Sequence, residues 1–399
     1  MAAFIDLPVK VIFGRNKEDN IGAEVKYFGG SKVLLVYNLR FNQATGVTEK
    51  IRRSLEIFGI ESVDFAKEFG KNPRVDVIRE GIEFARQNYV DFILALGSSH
   101  TVNLAKTIAL GVANSVDIKE IFTSNRAYKE SLPVGVILTM PGNGVESTGK
   151  VYLYENDSDN LLKGSALTNS AYTPRFMILN PEIMNTSSIY TYSSCVYMLG
   201  QLIAKYLTST EYVELLERDT EAIMNIVLSK MRILRNDPAN YAAKANLMWA
   251  GVLAYNSALD EKIDDCALFS MEKAIRECFD CSPGESLALV MPAWFDYLKE
   301  KHLLRVAQFA NRVLNIPFNF SDPMSTASLG IYRLKQILKE CGLPSCIADM
   351  GGDGRSIQSI ISHIAFRKDG TIGTFELLDR TACEVILSSL LIKESSSIN

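Results

Sequence analysis

Strand-like apolar runs and amphipathic helical patterns alternate through the first half of this chain. Lys32–Tyr37 and Phe92–Leu96 are apolar runs of strand length, and Ile60–Phe65 is a shorter strand pattern between them. Val47–Phe58 and Val75–Asn88 instead have apolar residues at helical spacing. Strands joined by helices form a parallel sheet that is covered on both faces and binds ligands at the carboxyl ends of its strands. The alternation therefore predicts an α/β domain with a Rossmann-like parallel sheet.

The alternation stops near Pro181. Beyond it, strand patterns nearly vanish and long helical patterns dominate. Those helical patterns are Ser193–Leu207, Glu211–Leu234, Tyr241–Leu259, Cys266–Cys278, Ser286–Lys301 and Leu303–Leu314. Because a proline disfavours helix at the preceding residue, Asn180 marks a boundary. The sequence predicts an α/β domain over residues 1–182 and an all-helical domain over residues 183–399.

The charge and the apolar runs exclude two classes of partner. Lysine and arginine number 42 against 46 acidic residues, which gives a net charge of −4 without a basic block, so nucleic acid is not an expected partner. No apolar run reaches the ~18 residues that a membrane span needs. The N-terminal segment lacks the positive start and long apolar core of a signal peptide. We therefore expect a cytoplasmic protein without a membrane partner.

The cysteine and histidine content limits the kinds of site that the chain can build. Seven cysteines, an odd number, argue against a disulfide framework. The three histidines are His100, His302 and His363. A metal site with three histidine ligands would need all of them to converge. We do not expect this, because His302 follows Lys-Glu-Lys on a charged helix and His363 lies near the C-terminus.

One segment of the second half carries a family resemblance. Asn240–Ala250 reads N-Y-A-A-K-A-N-L-M-W-A and resembles the N-Y-x-x-R-A-N-x-M-W-A segment of iron-containing (group III) alcohol dehydrogenases, especially the butanol dehydrogenase and NADPH-dependent aldehyde reductase branch. Ile347–Gly354 is similar to the L-S-D-Y-G-L-D-G segment of that family. The resemblance extends over nearly the whole chain. It implies the two-domain fold shared with dehydroquinate synthase, an NAD(P)-dependent activity, and a homodimer that pairs through the strand Val9–Gly14.

The turn after Phe92–Leu96 resembles the loop G-G-G-S-x-x-D-x-x-K, which holds the cofactor pyrophosphate in the family. Gly97 and Lys106 match that loop. The substituted positions are Ser98, Ser99, His100 and Asn103. A serine has a Cβ atom, so a positive φ at the former glycines would be costly, but a turn before a helix still offers N–H groups to an anion. Two interpretations stay open: an NAD or NADP site in which hydroxyls partly replace the glycines, or a βα turn without a ligand.

Two further segments are similar to cofactor-contacting parts of the family. The glycine-rich ribose stretch is replaced here by Asn38–Phe41, in which Arg40 either pairs with a 2′-phosphate or is solvated. Val136–Glu146 is similar to the family's V-L-T-L-P-A-T-G-S-E. The resemblance implies these further cofactor-binding candidates: Asn38, Arg40, Thr139, Asn143 and Leu179.

The resemblance also assigns four metal-ligand positions, and none keeps its ligand. An aspartate and a histidine, four residues apart on one helix in the family, correspond to Tyr197 and Gln201, and two histidines correspond to Phe269 and Pro283. Phenylalanine and proline have no side-chain ligand atom, and tyrosine and glutamine are weak ligands for a divalent transition metal. We therefore expect no iron or zinc, and no Lewis acid to polarise a substrate oxygen.

Lys273 replaces a further histidine that the family uses in proton relay. It lies four residues from Phe269 on the same helical face. Beside Tyr197, it could donate a proton or orient a substrate oxygen, so Lys273 and Tyr197 are the catalytic candidates. Alternatively, Lys273 pairs with a neighbouring carboxylate or reaches solvent.

The substitutions together favour one function over two others. A change of metal alone would leave the cofactor loops intact, but here the ribose loop, the phosphate loop and the metal positions all differ from the family. We therefore expect a degenerate, non-catalytic family member with a binding, scaffolding or assembly role and an unidentified protein partner. The alternative is a metal-independent NAD(P)-dependent alcohol dehydrogenase or aldehyde reductase, and a third hypothesis is an enzyme of different chemistry.

Overall fold

The computed structural model describes most of the chain. The described residues are 9–39, 46–68, 74–124, 126–156, 162–184, 189–210, 213–255, 265–279 and 281–391. They divide into two compact units, one within residues 5–185 and one within residues 186–399. The cofactor candidate Arg40 lies outside the described residues.

Most strands of the first unit, which we call the α/β unit, form one parallel sheet. Its strands are β1 (Lys10–Phe13), β2 (Lys32–Asn38), β3 (Glu61–Lys67), β4 (Phe92–Gly97), β5 (Val134–Leu138), β6 (Lys150–Asn156), β7 (Leu162–Thr168) and β8 (Phe176–Leu179). Six of them pair in parallel in the order β1-β8-β5-β4-β2-β3. The order in which strands are added to the sheet reverses between β2 and β4. The strand that follows β2, which is β3, lies on one side of it, and the next strand, β4, lies on the other side. Such a switch point is where open α/β sheets bind ligands.

Helices cover this sheet, as the sequence predicts. They are α1 (Ile21–Tyr27), α2 (Val47–Ile57), α3 (Val75–Gln87), α4 (Ser99–Ala113) and α5 (Ile118–Thr123). Helix α3 buries Val75, Ile78, Ile82 and Ala85, the spacing of a single helical face. The central strands β2 and β4 are buried on both faces, which is why their sequences read as continuous apolar runs.

An antiparallel hairpin in the α/β unit was not predicted. Strands β6 and β7 pair antiparallel, with Lys150 opposite Thr168. Its signal is visible in retrospect, because Val151 and Leu153 are buried and alternate with less buried neighbours. That alternation is typical of a strand with one covered face, whereas the central parallel strands β2 and β4 are covered on both.

The second unit, the helical unit, is built from helices. They are α6 (Ile189–Tyr206), α7 (Glu214–Asn236), α8 (Tyr241–Tyr255), α9 (Ala267–Phe279), α10 (Pro283–Leu298), α11 (Leu303–Arg312), α12 (Pro323–Glu340), α13 (Ser356–His363) and α14 (Arg380–Ser388). In the described part of this unit, β structure is limited to an isolated bridge between Ile372 and Leu378. The predicted fold class, an α/β domain with a parallel sheet followed by an all-helical domain, is confirmed. No helix that the structure describes is long and apolar enough to cross a membrane.

Candidate functional site

The carboxyl edge of the parallel sheet gathers most of the predicted cofactor residues. Strand pairing places Gly97 opposite Leu138 and Leu138 opposite Leu179, so the ends of β4, β5 and β8 are aligned. Asn38 ends β2, which is the neighbour of β4 across the switch point. Thr139 follows β5 and donates its backbone N–H to the Gly97 carbonyl at 3.0 Å. The four candidate positions Asn38, Gly97, Thr139 and Leu179 therefore lie along one edge.

The turn between β4 and α4 has a positive φ at its glycine and no strain at Ser98. Gly97 has φ +151°, and a Cβ atom there would lie 2.6 Å from Thr101 Oγ1, so this position needs glycine. Ser98 has φ −82° and ψ 174°, which any residue adopts easily. The expected backbone cost of replacing glycine by serine is therefore absent at Ser98. Its side chain makes no capping hydrogen bond to α4, whose positive end faces this turn.

Asn103, predicted to contact the cofactor, is bound to the hairpin. Its Nδ2 donates to the carbonyl of Tyr152 and its Oδ1 accepts from the N–H of Tyr152, both at 2.8 Å. The side chain thus satisfies both backbone groups of one β6 residue, as a neighbouring strand would. The side chains of Ser99 and His100 lie in the first turn of α4, two and three positions after Gly97.

Lys106, which matches the last position of the family's phosphate loop, is buried one turn further along α4. Its ammonium group donates to the carbonyls of Val145 at 2.8 Å and of Thr148 and Lys150 at 2.6 Å each. The side chain is 1% exposed. Burial lowers the pKa of Lys106 to about 7, and the nearby carboxylate of Glu146 opposes that shift.

Glu146 organises the loop that contains Asn143. Its carboxylate is buried and accepts the N–H groups of Asn143 at 3.3 Å and Gly144 at 3.2 Å. Burial raises the pKa of Glu146, while these N–H groups and Lys106 oppose the shift. The Oδ1 of Asn143 accepts the N–H of Val145 at 3.3 Å. The loop is thus shaped by its own side chains.

Leu179 and Asn38 differ in how much of each side chain is exposed at this edge of the sheet. The side chain of Leu179 is fully buried in the sheet, so only its backbone can face a ligand. Its carbonyl accepts the N–H of Gly14 at 3.0 Å. Asn38 is half-buried at the end of β2.

In the helical unit, aromatic rings occupy two of the four family metal-ligand positions. Tyr197 and Gln201 lie one turn apart on α6, and Phe269 lies on α9. The rings of Tyr197 and Phe269 contact edge to face, with centroids 5.7 Å apart and an interplanar angle of 75°. Gly200 lies beside this ring pair on α6. A Cβ atom there would lie 3.4 Å from Phe269 Cζ, an ordinary contact, but only 2.8 Å from Leu287 Cδ1, so the glycine allows α6 to approach α10.

The fourth position, Pro283, has a structural role at the start of α10. Proline is favoured at the first position of a helix, and Ser282 before it caps α10 together with Glu285. The Ser282 hydroxyl also lies 2.6 Å from the hydroxyl of Ser193 on α6. At Gly284, a Cβ atom would lie 2.0 Å from the Ser193 carbonyl oxygen, so α6 and α10 are in direct contact here.

The third pair of helices, α9 and α10, is joined by a buried carboxylate. Glu272 Oε1 accepts from Arg276 Nε at 2.9 Å and from the Ser286 hydroxyl at 3.1 Å. Burial raises the pKa of Glu272, and Arg276 opposes the shift. Lys273, a catalytic candidate, has a side chain that is 54% exposed, and its Nζ lies 3.8 Å from Glu277 Oε1. The alternative interpretation of Lys273, pairing with a neighbouring carboxylate, describes this arrangement.

The residues at the four positions that the family resemblance assigns to the metal are a poor chemical match to an iron or zinc ion. They offer one phenol and one amide, whereas these ions take imidazole, carboxylate or thiolate ligands. Among the residues that the structure describes, no group of three or more histidine, cysteine, aspartate or glutamate side chains is arranged to hold a metal. His302 contacts Glu376 at 2.9 Å, and His363 Nδ1 lies 3.6 Å from Cys278 Sγ, so these two histidines belong to different clusters.

Comparison with known families agrees with the architecture of both units. A family model described as iron-containing alcohol dehydrogenase matches residues 8–181. A second model, described as the C-terminal part of the Fe-containing alcohol dehydrogenase family, matches residues 192–391. The chain belongs to the iron-containing alcohol dehydrogenase family. The family resemblance predicted from the sequence is thereby confirmed.

Individual relatives match this family member over most of their length. NADH-dependent butanol dehydrogenase A of Clostridium acetobutylicum is 27% identical over 379 residues, with 92% of this chain and 94% of the relative covered. NADPH-dependent aldehyde reductase YqhD of Escherichia coli is 23% identical, with 90% and 91% covered. The crystal structure of NADH-dependent butanol dehydrogenase A from Thermotoga maritima superposes with a TM-score of 0.85 at 24% identity, covering 98% of this chain and 99% of that one. That structural likeness establishes the fold.

Proposed function

We propose that this chain is a nucleotide-binding member of its family without a metal centre, and that it acts by binding rather than by metal-dependent alcohol oxidation or aldehyde reduction. The observation that carries the proposal is the set of side chains at Tyr197, Gln201, Phe269 and Pro283. Two of these side chains pack ring against ring and a third starts a helix. These three side chains therefore have packing or helix-initiating roles, which support the proposal that they do not serve a metal.

The lack of metal ligands argues against metal-dependent catalysis, because the metal supplies a large part of transition-state stabilisation in such enzymes. A metal that polarises an oxygen stabilises the transition state by several kcal/mol. Since about 1.4 kcal/mol corresponds to a factor of ten in rate, losing that stabilisation without a replacement lowers the rate by orders of magnitude. The half-exposed Lys273, paired with Glu277, is the cation nearest in sequence to Phe269 on its helical face.

NAD or NADP is the ligand that the α/β unit fits best. Gly97 provides the tight turn, Ser98 continues it without strain, and the first turn of α4 presents N–H groups at the positive end of the helix dipole. Residues 97–101 would hold the pyrophosphate, with Thr139 and Asn143 on the neighbouring loop. Relatives named as NADH- and NADPH-dependent support a nicotinamide nucleotide without choosing between the two.

A second candidate function is a metal-independent NAD(P)-dependent alcohol dehydrogenase or aldehyde reductase. The observation that favours it is the phenol of Tyr197, which carries a transferable proton and whose ring packs against α9, the helix that contains Lys273. In that case, Tyr197 and Lys273 would be the proton donors. The nucleotide itself would supply the hydride chemistry.

Calorimetric titration of the purified protein with NADH and with NADPH, combined with elemental analysis and an aldehyde reduction assay, tests these proposals. We expect saturable nucleotide binding, far less than one equivalent of iron or zinc, and no reduction when either metal is added. About one equivalent of metal, lost when Gln201 is changed to alanine, would overturn the metal-free proposal. Robust reduction that survives chelation but is lost in Lys273→Ala would establish the second candidate.

We also propose that the protein is a homodimer that pairs through β1. This strand is the end strand of the six-stranded sheet, and end strands of this kind are usually covered by another chain or element. Light scattering at micromolar concentration should give twice the 44.3 kDa chain mass. A mass equal to one chain would contradict the proposal. A homodimer of this kind is compatible with the further protein partner expected for a binding role.

A further inference from the structure

Two side chains of α4 face the segment that contains Asn143 and the start of β6. Asn103 and Lys106 are three residues apart and so project from one side of the helix. Asn103 bonds both backbone groups of Tyr152, and Lys106 bonds three carbonyls between Val145 and Lys150. Five hydrogen bonds thus join α4 to the segment 145–152.

These contacts use all three donors of the Lys106 ammonium, and one donor and the carbonyl oxygen of the Asn103 amide. An ammonium has three N–H donors, and each meets one backbone carbonyl of this segment. Burying a lysine is costly unless every donor is satisfied, and removing the lysine would leave three carbonyls without their partner. The arrangement is therefore fixed by the chain itself and does not wait for a ligand.

The joined segments are the two that carry the nucleotide candidates. The first turn of α4 follows Gly97, and Asn143 lies two residues before Val145 in the loop that Glu146 organises. We propose that Asn103 and Lys106 are positioning residues that hold these two segments in binding geometry before a nucleotide arrives. The inference rests on the proposed nucleotide site. It gives Asn103 a different role from the direct cofactor contact predicted from the sequence.

A site that is already ordered loses less conformational freedom on binding. We call the five hydrogen bonds of Asn103 and Lys106 the clamp, and we expect their removal to weaken nucleotide affinity. The test compares Lys106→Met and Asn103→Leu, which remove the polar atoms but keep most of the volume. Lys205→Met is the matched control. Lys205 is also a buried lysine, 5% exposed, and it donates to the Ala254 carbonyl at 2.9 Å in the helical unit.

For each full-length variant, calorimetry gives the Kd for NADH and NADPH, and hydrogen exchange gives the protection of amides in residues 97–102 and 143–152. We expect Lys106→Met and Asn103→Leu to raise Kd about tenfold or more and to speed exchange in both segments. Lys205→Met should lower the melting temperature but change Kd by less than about twofold. The Asn103→Leu variant keeps the test valid if Lys106→Met does not fold.

Two results would overturn the clamp. One is faster exchange in residues 143–152 with an unchanged Kd, and the other is an equal rise of Kd in all three variants. If the wild-type protein binds neither nucleotide, the proposed function fails separately, and exchange then decides alone. Faster exchange in residues 97–102 in Lys106→Met would uphold the clamp, and unchanged exchange there would reject it.

Discussion

The cofactor turn of the α/β unit and the family metal positions of the helical unit have both changed residues, with different structural results. At the turn, Ser98 takes an ordinary backbone conformation, so the chain enters α4 without strain there. At the positions that the family resemblance assigns to the metal, Tyr197 and Phe269 pack ring against ring and Pro283 begins a helix. A site made of backbone groups tolerates substitution as long as its dihedral angles stay accessible, whereas a site made of side chains changes its chemistry with a single residue.

The strongest way to break this comparison is to restore the ligands. The variant combines Tyr197→Asp with Gln201→His, Phe269→His and Pro283→His. It gives α6, α9 and α10 the metal ligands that the family resemblance assigns. If the backbone of the helical unit is unchanged, about one equivalent of zinc or iron should be retained in elemental analysis, because a full ligand set binds with about 10 kcal/mol or more. A folded variant that retains no metal would show that the backbone positions themselves have moved.

The backbone half of the comparison is tested at Gly97. An added Cβ atom would lie 2.6 Å from Thr101 Oγ1, and the residue has φ +151°. We expect Gly97→Ala to lower the unfolding free energy by about 3 kcal/mol and to abolish nucleotide binding. Ser98→Ala is the control, and its thermal melting and calorimetric Kd should stay close to wild type. Similar losses in both variants would mean that the hydroxyl, and not the turn, makes the site.

The buried cation beside the turn predicts a pH effect. Burial lowers the pKa of Lys106 from its usual 10.5 to about 7. Between these values the unfolded chain holds a proton that the folded chain releases, so the unfolding free energy should rise with pH in this window. Urea unfolding near pH 7 and near pH 9 should differ by about 2 kcal/mol more in the wild type than in Lys106→Met. A pH slope that survives in the variant would assign the effect to another group.

The smallest expected effect concerns the contacts that stand at the metal positions. Ser282→Ala removes the α10 cap and the hydroxyl partner of Ser193. We expect a loss of about 1 kcal/mol in unfolding free energy, measured by denaturant titration. Ser282→Thr, which keeps a hydroxyl, should recover most of it. If both variants match the wild type, the Ser193–Ser282 contact contributes nothing to stability.

The fold was predictable because its signals are local. The spacing of apolar residues in Val75–Asn88 predicted α3, and the apolar run that begins at Phe92 predicted β4. The possible pairing of Lys273 with a near carboxylate was also local, since Glu277 is one helical turn away.

The candidate site was less predictable because it depends on contacts distant in sequence. Asn103 meets Tyr152 across 49 positions, and no periodicity reports such a contact. The φ of Ser98 could not be predicted from the sequence. The family loop has three glycines, and the residue types alone do not show which of these positions needs a positive φ. The contact between Tyr197 and Phe269 depends on the packing of α6 against α9.

The three direct links among α6, α9 and α10 carry a consequence for how the protein is made. The Ser193–Ser282 hydroxyl contact, the Glu272–Ser286 bond and the Tyr197–Phe269 ring contact are all formed by the chain's own side chains. In proteins whose core is held by an ion, folding is coupled to metal supply. On the metal-free proposal, these contacts join the three helices without an ion, so we expect cells starved of iron to accumulate the same folded protein as cells that are replete.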